Sequence, residues 1–161
     1  IVNGLQHRPR IAGYDIFCQM REQVPLDIAG METETFGGLG DIPYRHLHRR
    51  VAAYRFLFSP IRYTSLPLAV VEGLTLGMPV IALATTELPA VIQNGVHGYI
   101  SNDLDELARH MKRLLADPEE ARALGANARR LAEERFGLPR FIRDWNEAFR
   151  EALSMKLGVG S

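Results

Sequence analysis

The sequence predicts an α/β protein: a Rossmann-like, three-layer fold in which a parallel sheet carries helices on both faces, followed by a helical C-terminal extension. Short apolar runs alternate with helical patterns over the first two thirds of the chain. This alternation favours a parallel sheet that is covered on both sides. The last third contains helical patterns alone. We therefore expect a Rossmann-like domain over residues 1–138 and a C-terminal helix over residues 139–161, packed on this domain or on a preceding one.

The composition restricts the class of protein. The chain has 161 residues, of which 47% are apolar and 24% charged, so it can bury an ordinary core. Lys plus Arg and Asp plus Glu each number 19, and this balance argues against a nucleic-acid partner. A single cysteine, Cys18, excludes an internal disulfide framework. No apolar run approaches the roughly 20 residues of a membrane helix. We expect a cytoplasmic location, with peripheral membrane contact left open.

The expected elements follow from apolar spacing and punctuation. The first helix is indicated by Ile16, Phe17 and Met20 at helical spacing and is ended by Pro25. The later helices are indicated by Pro43, by Gly77 after an apolar stretch, and by the capping patterns that begin at 103 and 117. The predicted strands are 1–3, 26–29, 55–60, 79–84 and 98–101, and the predicted helices are 14–23, 43–54, 68–76, 88–93, 103–115, 118–135 and 139 onward.

The chain opens directly on the strand-like residues 1–3, followed by a turn-like and basic segment. There is no initiator methionine and no signal peptide. We therefore expect this sequence to be a piece of a longer protein.

Ligands of parallel α/β sheets bind beyond the carboxyl ends of the strands, which directs attention to the loops after them. The most informative stretch is 59–82, where a strand ends at Ser59-Pro60 and a buried helix begins near Pro67. The start of that helix offers unpaired N–H groups to an anion. Glu72 lies inside this otherwise apolar helix. Because a buried carboxylate is costly without a partner, Glu72 is a candidate acceptor for the hydroxyl groups of a ligand.

An ordered series of short motifs runs through this stretch and continues beyond it. The motifs are Ser59-Pro60, Leu66-Pro67-Leu68, Glu72-Gly73, Gly77-Met78-Pro79-Val80-Ile81-Ala82, Leu88-Pro89 and Asn94-Gly95. The series resembles the C-terminal donor-binding domain of glycosyltransferases with the GT-B fold, especially the retaining family 4. The resemblance covers residues 55–150 well and residues 1–54 loosely.

The resemblance implies a binding site for a nucleotide sugar. It places Glu72 at the ribose hydroxyls, Thr64 where the family has the first Glu of its Glu pair, and Arg8 and Arg10 at the diphosphate, where they would stabilise the leaving group. The further donor contacts that we expect are Ser65, Leu66, Leu68, Thr86 and Glu87. The resemblance implies no metal and no cofactor besides the donor substrate.

The implied reaction is transfer of a hexose from a UDP- or GDP-sugar to a glycan or lipid-linked acceptor, with retention of the anomeric configuration, in cell-envelope polysaccharide biosynthesis. The missing N-terminal Rossmann-like domain would complete the site, so we expect this domain to be inactive alone.

Two other functions stay open. A hydroxyl at Thr64 instead of a carboxylate, and Pro67 without an N–H in the phosphate loop, are compatible with a non-catalytic binding or scaffold domain. The same architecture also accommodates isomerases and hydrolases of nucleotide sugars. The ordinary structural roles are a solvent-facing position at a helix edge or an internal ion pair for Glu72, surface charge for Arg8 and Arg10, and helix capping for Thr64 and Ser65.

Overall fold

The computed structural model describes residues 7–158 and contains a parallel sheet of three strands. The order is β1 (Leu57–Ser59), β2 (Val80–Ala82) and β3 (Gly98–Ile100), and both neighbouring pairs are parallel. Ser59 lies opposite Ala82, and Ala82 lies opposite Ile100, so the three strands end level with one another. The predicted α/β class and parallel sheet are confirmed.

Eight α-helices surround the sheet or extend from it within the described residues. They are α1 (Pro9–Ala12), α2 (Tyr14–Arg21), α3 (Tyr44–Val51), α4 (Leu68–Thr75), α5 (Leu88–Val91), α6 (Leu104–Ala116), α7 (Pro118–Phe136) and α8 (Leu138–Gly158). A 3₁₀ turn, Thr33–Phe36, lies in the glycine-rich loop. Among the described residues, no helix is both long enough and apolar enough to cross a membrane.

The core has two layers, one on each face of the sheet. On one face Ile81 packs with Met20 of α2 and with Leu107 and Met111 of α6. On the other face Val80 and Ala82 pack with α4 and α7. The alternation of side chains along β2 follows from the two-residue period of a strand. This arrangement confirms the predicted three-layer packing.

The capping predictions are confirmed by the structure. The Asp103 carboxylate accepts hydrogen bonds from the N–H groups of Asp105 and Glu106 at 2.9 and 3.3 Å. Asp117 accepts from Glu119 and Glu120 in the same way, at 3.0 Å in both cases. These contacts need only residues two or three positions away in the sequence.

The strand predicted at 26–29 is wrong. The segment joins no strand ladder, and its Ile28 carbonyl instead accepts a hydrogen bond from the Leu39 N–H at 2.8 Å. The apolar pattern predicted burial, and Ile28 and Ala29 are buried. An apolar run indicates that a segment is inside, whereas pairing depends on a neighbouring strand. The strand predicted at 1–3 lies outside the described residues.

The helix α7 lies directly against the turn that ends α4. A Cβ placed on Gly125 would lie 2.1 Å from the carbonyl oxygen of Gly77, which is backbone and cannot rotate away. The absence of a side chain at Gly125 therefore sets how closely α7 approaches α4.

We expect Gly125→Ala to lower the free energy of unfolding by about 1–3 kcal/mol, because the added methyl group overpacks the contact. Helix propensity alone predicts the opposite, a gain of about 1 kcal/mol, so the sign is decisive. Urea unfolding followed by circular dichroism measures the change. The exposed neighbour provides the control: Ala126→Ser should shift the value by less than about 0.5 kcal/mol. An alanine variant as stable as the wild type would contradict the close contact.

Candidate functional site

The loops that follow β1 and β2 are joined by hydrogen bonds at the carboxyl edge of the sheet. The Thr86 hydroxyl donates to the Ser65 carbonyl at 3.1 Å, and the Thr85 hydroxyl donates to the Ile61 carbonyl at 3.2 Å. Thr86 has a φ of +50°, a left-handed conformation that residues other than glycine seldom adopt. The structure therefore brings two predicted donor contacts, Ser65 and Thr86, together.

No side chain in the described part of the chain caps the N-terminus of α4. Pro67 precedes the helix, and its carbonyl accepts from Val70 and Val71. Among the described residues, the N–H groups of Leu68 and Ala69 have no acceptor. Capping by Thr64 or Ser65, an alternative role considered from the sequence, is therefore wrong. The two free N–H groups, together with the positive end of the helix dipole, form a surface suited to an anion.

Glu72 lies one turn after the start of α4, on the same face as Leu68. Leu68 is 80% exposed, whereas Val70 and Leu74 on the opposite face are fully buried. The Glu72 side chain is half-buried and makes no ion pair or side-chain hydrogen bond with the described part of the chain. The internal ion pair considered from the sequence is therefore not formed among these residues, and the carboxylate oxygens are available to a ligand.

The remaining predicted contacts lie around this edge. Thr64 and Leu66 are half-buried in the loop before α4, and Leu66 packs against the core cluster beneath it. Glu87 is exposed and immediately precedes α5. The predicted residues after β1 and those after β2 thus share one end of the sheet.

The predicted diphosphate arginines lie on α1. Arg8 immediately precedes this helix, Arg10 is within it, and both are exposed. Arg10 lines an open surface cavity of about 460 Å³ together with Asp15, Arg62 and Tyr63. The structure therefore brings Arg10 next to the loop that leads into Thr64. Glu72 does not line this cavity.

A bidentate ion pair, which the sequence reasoning missed, closes one side of this cavity. The Arg62 guanidinium donates to both carboxylate oxygens of Asp15, with Nη1–Oδ1 at 2.7 Å and Nη2–Oδ2 at 2.6 Å. The hydrogen bonds from Arg62 lower the pKa of Asp15 from 3.8 to about 2. Arg62 lies inside the stretch that the sequence singled out, but its partner is 47 residues away, and nothing in the local pattern predicts it.

A second cleft runs along the outer side of β1 and has a different character. Its volume is about 130 Å³, and its walls are largely apolar, including Phe17, Ile28 and Phe58. The Ser59 hydroxyl in its lining is buried without a hydrogen-bond partner among the described residues. None of the predicted donor contacts lines this cleft.

The chain resembles known proteins over most of its length. Residues 19–131 match the family model described as "Glycosyl transferases group 1". A curated relative, the MMP alpha-(1->4)-mannosyltransferase of Mycolicibacterium hassiacum, is 35% identical over 107 residues, a region that covers 63% of this chain and 25% of the relative.

Solved structures share the fold at low identity. Sucrose-phosphate synthase of Thermosynechococcus elongatus superposes with a TM-score of 0.79 at 22% identity, over 91% of this chain and 43% of that one. Anabaena HepE in complex with UDP superposes with a TM-score of 0.72 at 17% identity, over 88% of this chain and 46% of that one. The chain thus spans a quarter of the curated relative and less than half of each of these structures.

The pH dependence of the Asp15–Arg62 pair follows from the lowered pKa of Asp15. A carboxyl group whose pKa is lowered by folding stabilises the fold above its unfolded pKa, and this stabilisation is lost as the pH falls through its folded pKa. We therefore expect Asp15→Asn to lower the free energy of unfolding at neutral pH, by less than about 1 kcal/mol because the pair is partly exposed. The difference in the free energy of unfolding between the wild type and Asp15→Asn should shrink as the pH falls from 3.8 to about 2.

Urea unfolding of both proteins across this range measures the difference. The exposed pair Arg140–Asp144 on α8 provides a matched control in Asp144→Asn. If the difference in the free energy of unfolding between Asp15→Asn and the wild type stays the same from neutral to acid pH, the ion pair does not stabilise the fold.

Proposed function

Because the chain belongs to the family of group 1 glycosyl transferases, we propose that it is the donor-binding domain of a retaining hexosyltransferase that uses a UDP- or GDP-sugar. One observation carries the proposal: the start of α4 is followed, one turn later, by the carboxylate of Glu72, and neither the helix start nor this carboxylate has a side-chain partner among the described residues. A nucleoside diphosphate presents both groups that such a surface recognises, namely an anion and a pair of vicinal hydroxyls.

Each part of the donor has a chemical counterpart in the proposed site. The Glu72 carboxylate accepts hydrogen bonds from the ribose hydroxyls, and contacts of this charged kind contribute about 1.5–3 kcal/mol each. The diphosphate lies at the free N–H groups of Leu68 and Ala69. Arg8 and Arg10 supply positive charge that matches phosphate oxygens. Further contacts come from the loops at the same edge, through Thr64, Ser65, Leu66, Leu68, Thr86 and Glu87.

The chemistry of transfer explains why fixed positive charge is useful here. As the bond between the sugar and the diphosphate breaks, negative charge develops on the leaving group. N–H groups and positive charges that the protein holds in place before the reaction stabilise this negative charge more in the transition state than in the ground state. The proposed mechanism requires no metal and no cofactor beyond the donor itself.

The donor class is supported by the names of the structural neighbours. HepE is described in complex with UDP, and also with UDP-glucose. A mutant of Staphylococcus aureus TarM, which superposes with a TM-score of 0.75 at 15% identity, is described in complex with UDP among other ligands. The acceptor that we propose is a glycan or a lipid-linked intermediate in the cytoplasm, at or near the membrane surface.

We propose that a second Rossmann-like domain completes the enzyme, because this chain spans less than half of its structural neighbours. The last helix, α8, offers a surface for it. Phe141, Trp145 and Phe149 form an apolar stripe along this helix, and each is at least 50% exposed. A continuous exposed apolar patch of this kind is typical of a binding surface. The acceptor-binding groups would come from the second domain.

A non-catalytic binding domain is the second candidate, and it is favoured by one observation. Thr64 places a neutral hydroxyl, and not a carboxylate, in the loop before α4. Under this alternative the full-length protein binds a nucleotide sugar but releases no nucleoside diphosphate with any donor. Turnover of a single donor by the full-length protein would exclude it.

We expect Glu72→Gln to weaken the binding of UDP or GDP to this chain about tenfold, because a charged acceptor of ribose hydroxyls is replaced by a neutral one. Isothermal titration calorimetry and NMR titration measure the affinity. The matched control is Glu133→Gln, an exposed carboxylate on α7, which should leave the affinity unchanged.

A ligand control assigns the contact to the sugar of the nucleotide. A nucleoside diphosphate whose ribose lacks both hydroxyls should bind the wild type and the Glu72→Gln variant equally well. If the wild-type chain binds neither UDP nor GDP at millimolar concentration, the proposed function is wrong.

A further inference from the structure

The first helix, α1, has no buried residue of its own. This four-residue helix meets the core through Ala12, which is only partly buried, so hydrophobic packing positions it weakly and its place depends mainly on the contacts at its ends. Arg8 and Arg10, the proposed diphosphate ligands, are at the start of this helix. The contacts that hold α1 therefore determine where these two positive charges lie.

Those contacts join the corner between α1 and α2 to the loop that follows β1. The backbone N–H of Arg62 donates to the Ile11 carbonyl at 2.9 Å. Gly13, with a φ of +73°, approaches Pro60 so closely that a Cβ would lie 2.0 Å from the Pro60 carbonyl oxygen. The Asp15–Arg62 ion pair is the third contact of this joint. The joint thus fastens α1 to the carboxyl edge of the sheet.

Arg62 is bound by the protein at both ends of its guanidinium. Its Nη1 donates to Asp15 and to the Arg10 carbonyl, the latter at 3.0 Å, and its Nη2 donates to Asp15. Its side chain is only 24% exposed. Three of the five guanidinium N–H groups are occupied in this way, and the Asp15 carboxylate compensates the charge of Arg62. In this arrangement Arg62 holds the backbone of Arg10.

We propose that Asp15 and Arg62 are a positioning pair that holds α1 so that Arg8 and Arg10 face the diphosphate of the donor. This inference rests on the proposed function and adds two residues to it that never touch the substrate. Because the pair acts through the arginines of α1, breaking it weakens recognition of the diphosphate. The ribose contact of Glu72, which belongs to α4, is unaffected.

The test compares two ligands on the whole chain: UDP, which carries the diphosphate, and uridine, which does not, with GDP and guanosine as the second set. Asp15→Asn and Arg62→Gln should each weaken diphosphate binding about tenfold, the effect of one lost charged contact. The affinity for the nucleoside, measured by NMR titration, should stay the same in both variants. A general loss of structure would lower both affinities together, so the ratio separates positioning from simple destabilisation.

Reversing the pair tests the coupling directly. The double variant D15R/R62D restores opposite charges across the joint, and it should bind UDP more tightly than either single variant. Arg62→Lys, which keeps the charge but cannot form the two parallel hydrogen bonds, should lie between wild type and Arg62→Gln, and it serves if the double variant fails to fold. Asp144→Asn on α8 is the matched control and should change neither affinity.

Three results would overturn the proposal. The first is an unchanged ratio of diphosphate to nucleoside affinity in both single variants. The second is a double variant that binds UDP no more tightly than the single variants, together with an Arg62→Lys variant that binds UDP as weakly as Arg62→Gln. The third is tighter UDP binding by Asp15→Asn, which would mean that Arg62, once released, grips the phosphate itself. Failure of the wild-type chain to bind any of the nucleotides would contradict the proposed function instead.

Discussion

The parallel pairing of β1, β2 and β3 is the constraint on which the rest of the structure depends. Because the strands run in the same direction and end level, with Ser59, Ala82 and Ile100 side by side, the loops that follow them emerge at one edge. Parallel pairing in turn requires that both faces be covered, and α2, α6, α4 and α7 cover them. The candidate site therefore lies at the edge where the three parallel strands end, and the helices that cover the two faces of the sheet hold those strands in place.

Different physical forces hold the two halves of the candidate site. The Glu72 side is rigid because α4 is packed between β1 and α7, with Val70, Gly73 and Leu74 buried. The arginine side is anchored less firmly, since α1 has no buried residue and its Ala12 packs only partly buried against the core. It depends on hydrogen bonds and on one ion pair at the surface, interactions that each contribute little to stability but define direction well. A donor with a nucleoside at one end and a diphosphate at the other would bridge these two halves.

Two surfaces lie away from the candidate site. The aromatic stripe of α8 is exposed in the described part of the chain. The apolar cleft beside β1 is lined by no residue of this stripe, and it reaches the donor edge at Ser59, Pro60 and Ala69. Its buried, unpartnered Ser59 hydroxyl is the one polar side-chain atom of the described core without a hydrogen bond.

The amino-acid sequence by itself determined the features that depend on near neighbours. Asp103 and Asp117 cap their helices by contacts two or three residues away, and the apolar stretch that ends at Gly77 located α4. The tertiary structure alone decided that segment 26–29 joins no ladder and that Asp15 pairs with Arg62. The physical reason is distance along the chain: a cap is completed by its own turn of helix, whereas a ladder or an ion pair across 47 residues exists only once the intervening chain has folded.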